Sequence, residues 1–156
     1  MSSFFTFTHL ANLNTPIVEK GVSLTNRTLQ GAFAQTNSGA AIVLEHRFFG
    51  QSDPFPQMNV QTLAVHNVAQ AIEDLVYFAQ NVVLPMPGGD TDGIRPHKVP
   101  WVLSGGSYAG ALTSWTLNKC VVAIMNNFVL VKFIFARKPG IFWAGYSTSG
   151  VVQPIA

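Results

Sequence analysis

A serine lies among small residues in the stretch SGGSYAG, residues 104–110, directly after the apolar run VPWVL. One class of hydrolases exposes its nucleophile in this way, on a tight turn between a buried strand and a helix. The serine takes a strained backbone conformation there, so its neighbours must be small. The small neighbours in this stretch are Gly105, Gly106, Ala109 and Gly110. We therefore predict that Ser107 is a catalytic nucleophile; a glycine-rich turn with an incidental serine is the alternative.

The position of the turn also predicts how a negative charge would be stabilised. A helix that begins at the serine directs its free N–H groups at an oxyanion formed there, and the backbone N–H of Tyr108 is the expected donor. A phosphate loop would need a lysine after Gly110, and a dinucleotide fingerprint would need G-x-G-x-x-G. Neither pattern occurs, so we expect no nucleotide cofactor, and we predict no metal site.

The residues that would activate such a serine are missing from the second part of the sequence. Hydrolases with this turn carry their Asp and then their His after the serine. No Asp, Glu or His follows Ser107, and the four histidines, at positions 9, 46, 66 and 97, all precede it. A general base must come within about 3 Å of the hydroxyl. Because loss of triad members typically costs about 10⁴–10⁶ in rate, we expect the chain to be catalytically incomplete.

Composition limits the class of protein. The 156 residues suit one domain, and only 10% are charged, compared with roughly 25% in an average soluble protein. Mean hydropathy is positive, at +0.28, which fits a unit covered by more protein. Lys and Arg are scattered at a net charge of +2, so nucleic acid is not an expected partner. A single cysteine, Cys120, excludes a disulfide framework.

The N-terminal sequence does not predict a location. The first 16 residues contain no basic region and only a very short apolar stretch, so we predict no secretory signal. Asn26, in the triplet NRT, is a glycosylation acceptor if the chain enters a secretory pathway.

The sequence predicts alternating helices and strands, which would position the candidate site residues. Thr25 or Asn26 is expected to cap the first helix, and residues 85–100 are expected to form an exposed loop. The predicted elements are a helix at 24–36, a fully buried strand at 40–46, an amphipathic helix at 61–80, a strand at 101–104, a helix at 107–118 and a strand at 140–149. This order predicts an α/β fold with a parallel sheet, whose chemistry lies at the carboxyl ends of the strands.

Three motifs in this order resemble one family of enzymes. VLEHRFFGQSDPFP, VPWVLSGGSYAGALTSWT and PGIFWAGYSTSGVVQ resemble the prolyl carboxypeptidase and dipeptidyl peptidase II family of serine peptidases, in particular its fungal branch with the acid prolyl endopeptidases. The resemblance runs from about residue 24 to residue 153. It implies an α/β-hydrolase fold, proline-containing peptides as substrates, and a secreted or lysosomal location for family members.

The resemblance also assigns residues. Ser107 matches the family nucleophile, and a block that shapes the site without a catalytic role is matched by Glu45, His46, Arg47 and Gly50. Relatives carry earlier strands, one of which leads into the loop that supplies a second oxyanion N–H, and a downstream Asp and His. We therefore expect a partial α/β-hydrolase domain at 24–156, truncated at both ends, after a poorly matching segment at 1–23. Uncovered sheet edges would favour self-association.

Residues 121–137, VVAIMNNFVLVKFIFAR, interrupt the family pattern. A retained intron is one interpretation, because Val121 requires a GTN codon and Arg137 or Lys138 can supply an acceptor AG. A genuine insertion that forms an extra strand or helix is the second. A transmembrane helix is the third, but a span needs about 20 apolar residues. This run contains Asn126, Asn127 and Lys132, so we predict no membrane span.

Three hypotheses of function remain open at this point. The chain is a fragment of a proline-selective serine peptidase that is inactive alone, or a serine hydrolase that another chain completes. The third hypothesis is a non-catalytic interaction module that docks through residues 121–136.

Overall fold

The structure, a computed structural model, describes residues 5–10, 25–118, 132–133 and 141–150. The strands are β1 (Phe5–Leu10), β2 (Ala40–Glu45), β3 (Trp101–Gly106), β4 (Lys132–Phe133) and β5 (Ala144–Thr148). The helices are α1 (Leu29–Thr36), α2 (Val68–Asn81) and α3 (Tyr108–Asn118). Two short 3₁₀ helices span Thr62–Val65 and Asp92–Ile94.

The strands form one sheet in the order β2-β1-β3-β5-β4. Strands β2, β1, β3 and β5 run parallel, so their carboxyl ends meet at one edge, whereas β4 pairs antiparallel with β5. The predicted α/β fold with a parallel sheet is therefore confirmed in its coarse form, with one antiparallel strand added.

Strand β1 lies within residues 1–23, where the sequence analysis placed no element. It pairs with β2 on one side and with β3 on the other, so it occupies the interior of the sheet. The segment FTFTHL alternates aromatic and β-branched residues over its first four positions. That period of two is typical of strands and is the signal that could have predicted β1.

Helix α1 begins later than predicted, and its cap is a different residue. The N-cap is Thr28, whose hydroxyl accepts a hydrogen bond from the N–H of Gly31 at 3.3 Å. The prediction of Thr25 or Asn26 as the cap was wrong, because residues 25–28 form a turn. In that turn the carbonyl of Thr25 accepts from the N–H of Thr28 at 3.1 Å.

The helix predicted over 61–80 is interrupted. Asn67 has an extended backbone, and its side chain accepts from the N–H of Gln70 at 2.9 Å, so α2 begins only at Val68. Leu63 lies in the preceding 3₁₀ helix and is 44% exposed, instead of contributing to the core. The apolar face of α2 is buried at Ala71, Ile72, Leu75 and Ala79.

Burial differs from the prediction in two further places. Strand β2 is half-buried along its length and not fully buried, because it lies at an edge of the described sheet. The loop at 85–100 is not uniformly exposed, since Ile94 is buried and its carbonyl accepts from the indole N–H of Trp101 at 2.8 Å. Trp101 is itself fully buried and fixes this loop on the core.

The core lies where α2 and α3 pack beside the central strands. Helix α3 contacts both β3 and β5, and α2 contacts α3. The largest fully buried apolar side chains are Trp101, Leu75, Leu103, Leu112 and Leu117. In the part of the chain that the structure describes, no helix has the length and apolar character to cross a bilayer. The segment 121–137 lies outside the described residues, except for the two residues of β4.

Candidate active site

Ser107 is the single residue between a buried strand and a helix. Strand β3 ends at Gly106 and α3 begins at Tyr108. The backbone of Ser107 has a φ of 57°, in the left-handed region that costs a non-glycine residue about 1–2 kcal/mol. Its side chain is exposed at the carboxyl edge of the sheet. This strand–serine–helix geometry is the one that the sequence predicts, while the nucleophilic role itself stays a prediction.

The small residues around the serine permit close packing of backbone on backbone. A β-carbon at Gly105 would collide with the carbonyl of Ala109, and one at Gly110 would collide with the carbonyl of Thr148. Ala109 is only 2% exposed. The first turn of α3 therefore rests directly on the ends of β3 and β5.

Two residues of β5, which the sequence analysis did not single out, anchor this turn. The N–H of Ser107 donates to the carbonyl of Thr148 at 3.0 Å, and the hydroxyl of Ser147 donates to the carbonyl of Gly110 at 2.8 Å. The N–H of Ser107 is thereby engaged. The N–H of Tyr108 lies in the first turn of α3, where helical N–H groups have no acceptor within the helix. It remains the candidate oxyanion donor.

The block that follows β2 reaches the serine turn through His46. His46 is 4% exposed as a residue, and its Nε2 lies 3.3 Å from the phenol oxygen of Tyr108. Its Nδ1 lies 2.6 Å from the carbonyl oxygen of Arg47. Because a carbonyl only accepts, Nδ1 carries the hydrogen in the neutral ring, and Nε2 accepts from the phenol.

Burial shifts the pKa of both partners. It lowers the pKa of His46 from 6.5, and this effect outweighs the carbonyl of Arg47, which raises that pKa. Burial also raises the pKa of Tyr108 above 10.0. Both shifts favour the neutral forms of the two side chains, so the contact is a neutral hydrogen bond at pH 7.

The charged residues of the same block hold its loop. Arg47 binds Asp74 of α2 through two N–H groups, each 2.6 Å from a carboxylate oxygen, and donates to the carbonyl of Val65 at 2.9 Å. Glu45 accepts from the hydroxyl of Ser52 at 2.8 Å. These contacts agree with a structural role for Glu45 and Arg47.

No base for the serine is visible in the described part of the chain. None of the described residues brings an imidazole or a carboxylate into hydrogen-bonding contact with the Ser107 hydroxyl. Two other described histidines make different contacts. His66 packs against Phe48, and His97 pairs with Asp92 at 3.1 Å. His9 lies in β1, and its side chain is outside the described residues.

Other site predictions remain untested by the geometry. Asn26 is exposed in the turn before α1, as a glycan acceptor must be. Within the described ranges, no group of three His, Cys, Asp or Glu side chains could hold a metal ion. An open pocket of about 460 Å³ lies between β2 and α2, lined by Glu45, Arg47, Asp74 and Tyr77 among others. Neither Ser107 nor Tyr108 lines it, so it is separate from the serine turn.

An exposed serine with a left-handed backbone, placed between a central strand and a helix of an α/β fold, is the arrangement in which one class of hydrolases carries its nucleophile. The sequence model of the family described as "Serine carboxypeptidase S28" matches residues 15–125, so this chain belongs to that family. The match ends inside the 121–137 segment. The resemblance to serine peptidases is therefore confirmed at the level of this family.

Curated relatives agree with this assignment. "Serine protease vicPa" of Bipolaris victoriae is 35% identical over 131 residues, which cover 83% of this chain and 21% of that protein. "Serine protease vicPb" of the same fungus is 32% identical over 139 residues, covering 88% of this chain and 22% of that protein. A "Probable extracellular serine carboxypeptidase" of Arthroderma benhamiae is 29% identical over 140 residues, covering 90% and 16%. The chain thus spans about a fifth of the length of these relatives.

Proposed function

We propose that this chain carries the nucleophile-bearing part of a serine peptidase. In this proposal Ser107 attacks the carbonyl carbon of a peptide bond, and the N–H of Tyr108 stabilises the oxyanion that forms. The observation that carries the proposal is the left-handed backbone of Ser107 between β3 and α3. Membership of the serine carboxypeptidase S28 family supports it.

The substrate class that we propose is a peptide with a proline next to the scissile bond. The support is the resemblance of the three motifs, EHRFFG, SGGSYAG and FWAGYSTSG with their flanks, to the prolyl carboxypeptidase and dipeptidyl peptidase II branch. The same resemblance supports a partial α/β-hydrolase domain, in which β3 is the strand that leads to the nucleophile.

We also propose that these 156 residues do not include the base. Residues 108–156 contain no Asp, Glu or His. Of the histidines whose side chains the structure describes, His46 contacts the first residue of α3, and it directs one nitrogen at the Arg47 carbonyl and the other at the Tyr108 phenol. Without an oriented imidazole the hydroxyl keeps its proton, and turnover falls by about 10⁴–10⁶.

A fluorophosphonate probe and a chromogenic prolyl peptide test both parts of this proposal. We expect slow labelling of the purified chain at Ser107 only, and peptide turnover at the background rate. Ser107→Ala is expected to remove the label, whereas Ser38→Ala, at an exposed serine after α1, is expected to keep it. Fast, Ser107-dependent peptide hydrolysis by the chain alone would show that a base is present.

The hypothesis of completion by another chain predicts a different result in the same assay. Labelling would then stay slow for the isolated chain and become fast when a protein that supplies an Asp and a His is added. A label that resides on a serine other than Ser107 would contradict both versions.

A further inference from the structure

We propose that His46 is a positioning residue of this site, which holds the phenol of Tyr108 and, through it, the first residue of α3. The catalytic meaning of this inference rests on the proposed function, because Tyr108 carries the proposed oxyanion donor. The contact joins residues 62 positions apart in the sequence, one after β2 and the other after β3. It therefore connects the loop after β2 to the first residue of α3 at the carboxyl edge of the sheet, although β1 lies between β2 and β3 in the strand order.

His46 is a buried polar group with a defined orientation. Its Nδ1 is fixed by the carbonyl of Arg47 at 2.6 Å, which leaves the Nε2 lone pair facing the phenol of Tyr108. The rings of Phe49 and Tyr108 contact it edge-on, with centroid distances of 5.0 Å and 5.4 Å. Packing of this kind limits rotation of the imidazole, so the acceptor presented to Tyr108 is fixed in space.

The loop that carries His46 is held in a conformation of high energy. Phe48 has a φ of 65°, and a left-handed backbone at a bulky residue costs of order 1–3 kcal/mol. The surrounding contacts maintain this strain: Arg47 is clamped by Asp74, and the ring of Phe48 packs on His66 at 4.9 Å. Such strain persists where the structure over-determines it, and it is concentrated at functional sites.

The contact between His46 and Tyr108 depends on the charge of His46. A proton added to Nε2 removes the acceptor, so the phenol can no longer donate and must turn its hydrogen away. Among the titratable and charged groups of the described residues, those that act on the imidazole include His66, Arg47, Asp74 and the phenol of Tyr108. His66 and Arg47 oppose the added charge, and Asp74 favours it. At acid pH we therefore expect Nε2 of His46 to become the donor and the phenol oxygen of Tyr108 to become the acceptor, at the start of α3.

Nuclear magnetic resonance of the ¹⁵N-labelled chain tests the inference without any need for turnover. We expect His46 to be the Nδ1–H tautomer at neutral pH. We also expect the amide resonance of Tyr108 to shift in one step that follows the titration of His46, below pH 6.5. The proposal would be overturned by an Nε2–H tautomer of His46, or by a Tyr108 amide resonance that does not change as His46 titrates.

Four variants separate positioning from a general structural effect. Tyr108→Phe keeps the ring and should lose the titration step. His46→Gln places an acceptor near the position of Nε2, so it should lose the step and hold the amide at its neutral-pH position. His46→Asn can still donate to the Arg47 carbonyl, but its shorter side chain does not reach the Tyr108 phenol. The amide resonance of Tyr108 should therefore differ from that of the unaltered chain at every pH. His97→Gln alters the exposed pair with Asp92 and should leave the step intact.

Failure of the positioning inference and failure of the proposed function give different results in the labelling and resonance experiments. If Ser107 is never labelled but the Tyr108 amide follows His46, the positioning contact is correct and the catalytic proposal is wrong. If Ser107 is labelled and the step persists in Tyr108→Phe, the positioning inference alone is wrong.

Discussion

Three of the described serines, Ser38, Ser107 and Ser149, have a left-handed backbone that stores conformational strain. Ser107 in the serine turn has a φ of 57°, and Ser38 after α1 has a φ of 53°. Glycine reaches this region without the contact between Cβ and the carbonyl oxygen that other residues make. The two positions therefore form a natural comparison, one in the candidate site and one in an exposed connection.

We predict that Ser107→Gly raises the free energy of unfolding by about 1 kcal/mol, because it relieves this strain. Ser38→Gly, the matched control, should stabilise by a similar amount. Urea denaturation measures both values. Only Ser107→Gly should abolish phosphonate labelling, and a destabilised Ser107→Gly variant would show that the hydroxyl, and not the backbone, dominates at this position.

The buried His46 makes stability depend on pH. Its pKa in the folded protein is lowered from 6.5 mainly by burial, so the unfolded chain binds a proton more readily than the folded one. The free energy of unfolding should therefore fall as the pH decreases from about 6.5 through the lowered pKa, and level off below it.

Urea titrations across this range check the prediction. His46→Gln should remove this part of the pH dependence, whereas His97→Gln, at an exposed histidine, should keep it. An unchanged pH profile in His46→Gln would contradict the assigned burial effect.

Between secondary structure elements, the ion pair of Arg47 and Asp74 is the main polar connection from the loop after β2 to α2. The side chain of Arg47 is 15% exposed and that of Asp74 is 42% exposed, and two hydrogen bonds join the guanidinium to the carboxylate. We predict that Asp74→Asn lowers the free energy of unfolding by roughly 1–2 kcal/mol, because it weakens a bidentate and partly buried pair.

The exposed pair of His97 and Asp92 is the control for this prediction. Its side chains are 58% and 65% exposed, so Asp92→Asn should change stability by less than about 0.5 kcal/mol. Equal effects of the two substitutions in urea denaturation would mean that the Arg47–Asp74 geometry contributes nothing specific.

For the chain as a whole, the segment 121–137 is the feature that the family pattern does not explain. Its described part is β4, whose two residues pair with Ser147 and Tyr146 of β5. We propose that the segment is a retained intron, which consensus splice signals at both edges in the genomic sequence would support. Genomic sequence without those signals would leave an insertion as the explanation.

Deletion of residues 121–137 tests the same proposal in the protein. Because β4 adds only two residue pairs to the sheet, we predict that the deletion variant unfolds cooperatively and gives more soluble protein. Circular dichroism and soluble yield measure the two properties. Loss of cooperative unfolding would contradict the prediction, and loss of a specific association would favour the docking hypothesis.

The amino-acid sequence alone determined the features that depend on neighbouring residues. The pattern of SGGSYAG after VPWVL predicts the turn around Ser107, and the structure has β3, Ser107 and α3 in that order. Periodicity predicts the buried face of α2, although the cap at Asn67 moved its start. These signals are local, since they arise from the backbone preferences and side-chain spacing of residues within a few positions.

Only the tertiary structure decided which distant residues meet. Three contacts join residues that are 27 to 62 positions apart: His46 with Tyr108, Arg47 with Asp74, and Ser147 of β5 with Gly110 in the first turn of α3. The sheet also pairs β3 with β5, which are not consecutive strands in the sequence. Likewise, β1 is recognisable as a strand, but its place between β2 and β3 is fixed by pairing on both sides. The physical reason is that strand order and burial depend on the packing of the assembled sheet, which a local pattern does not encode.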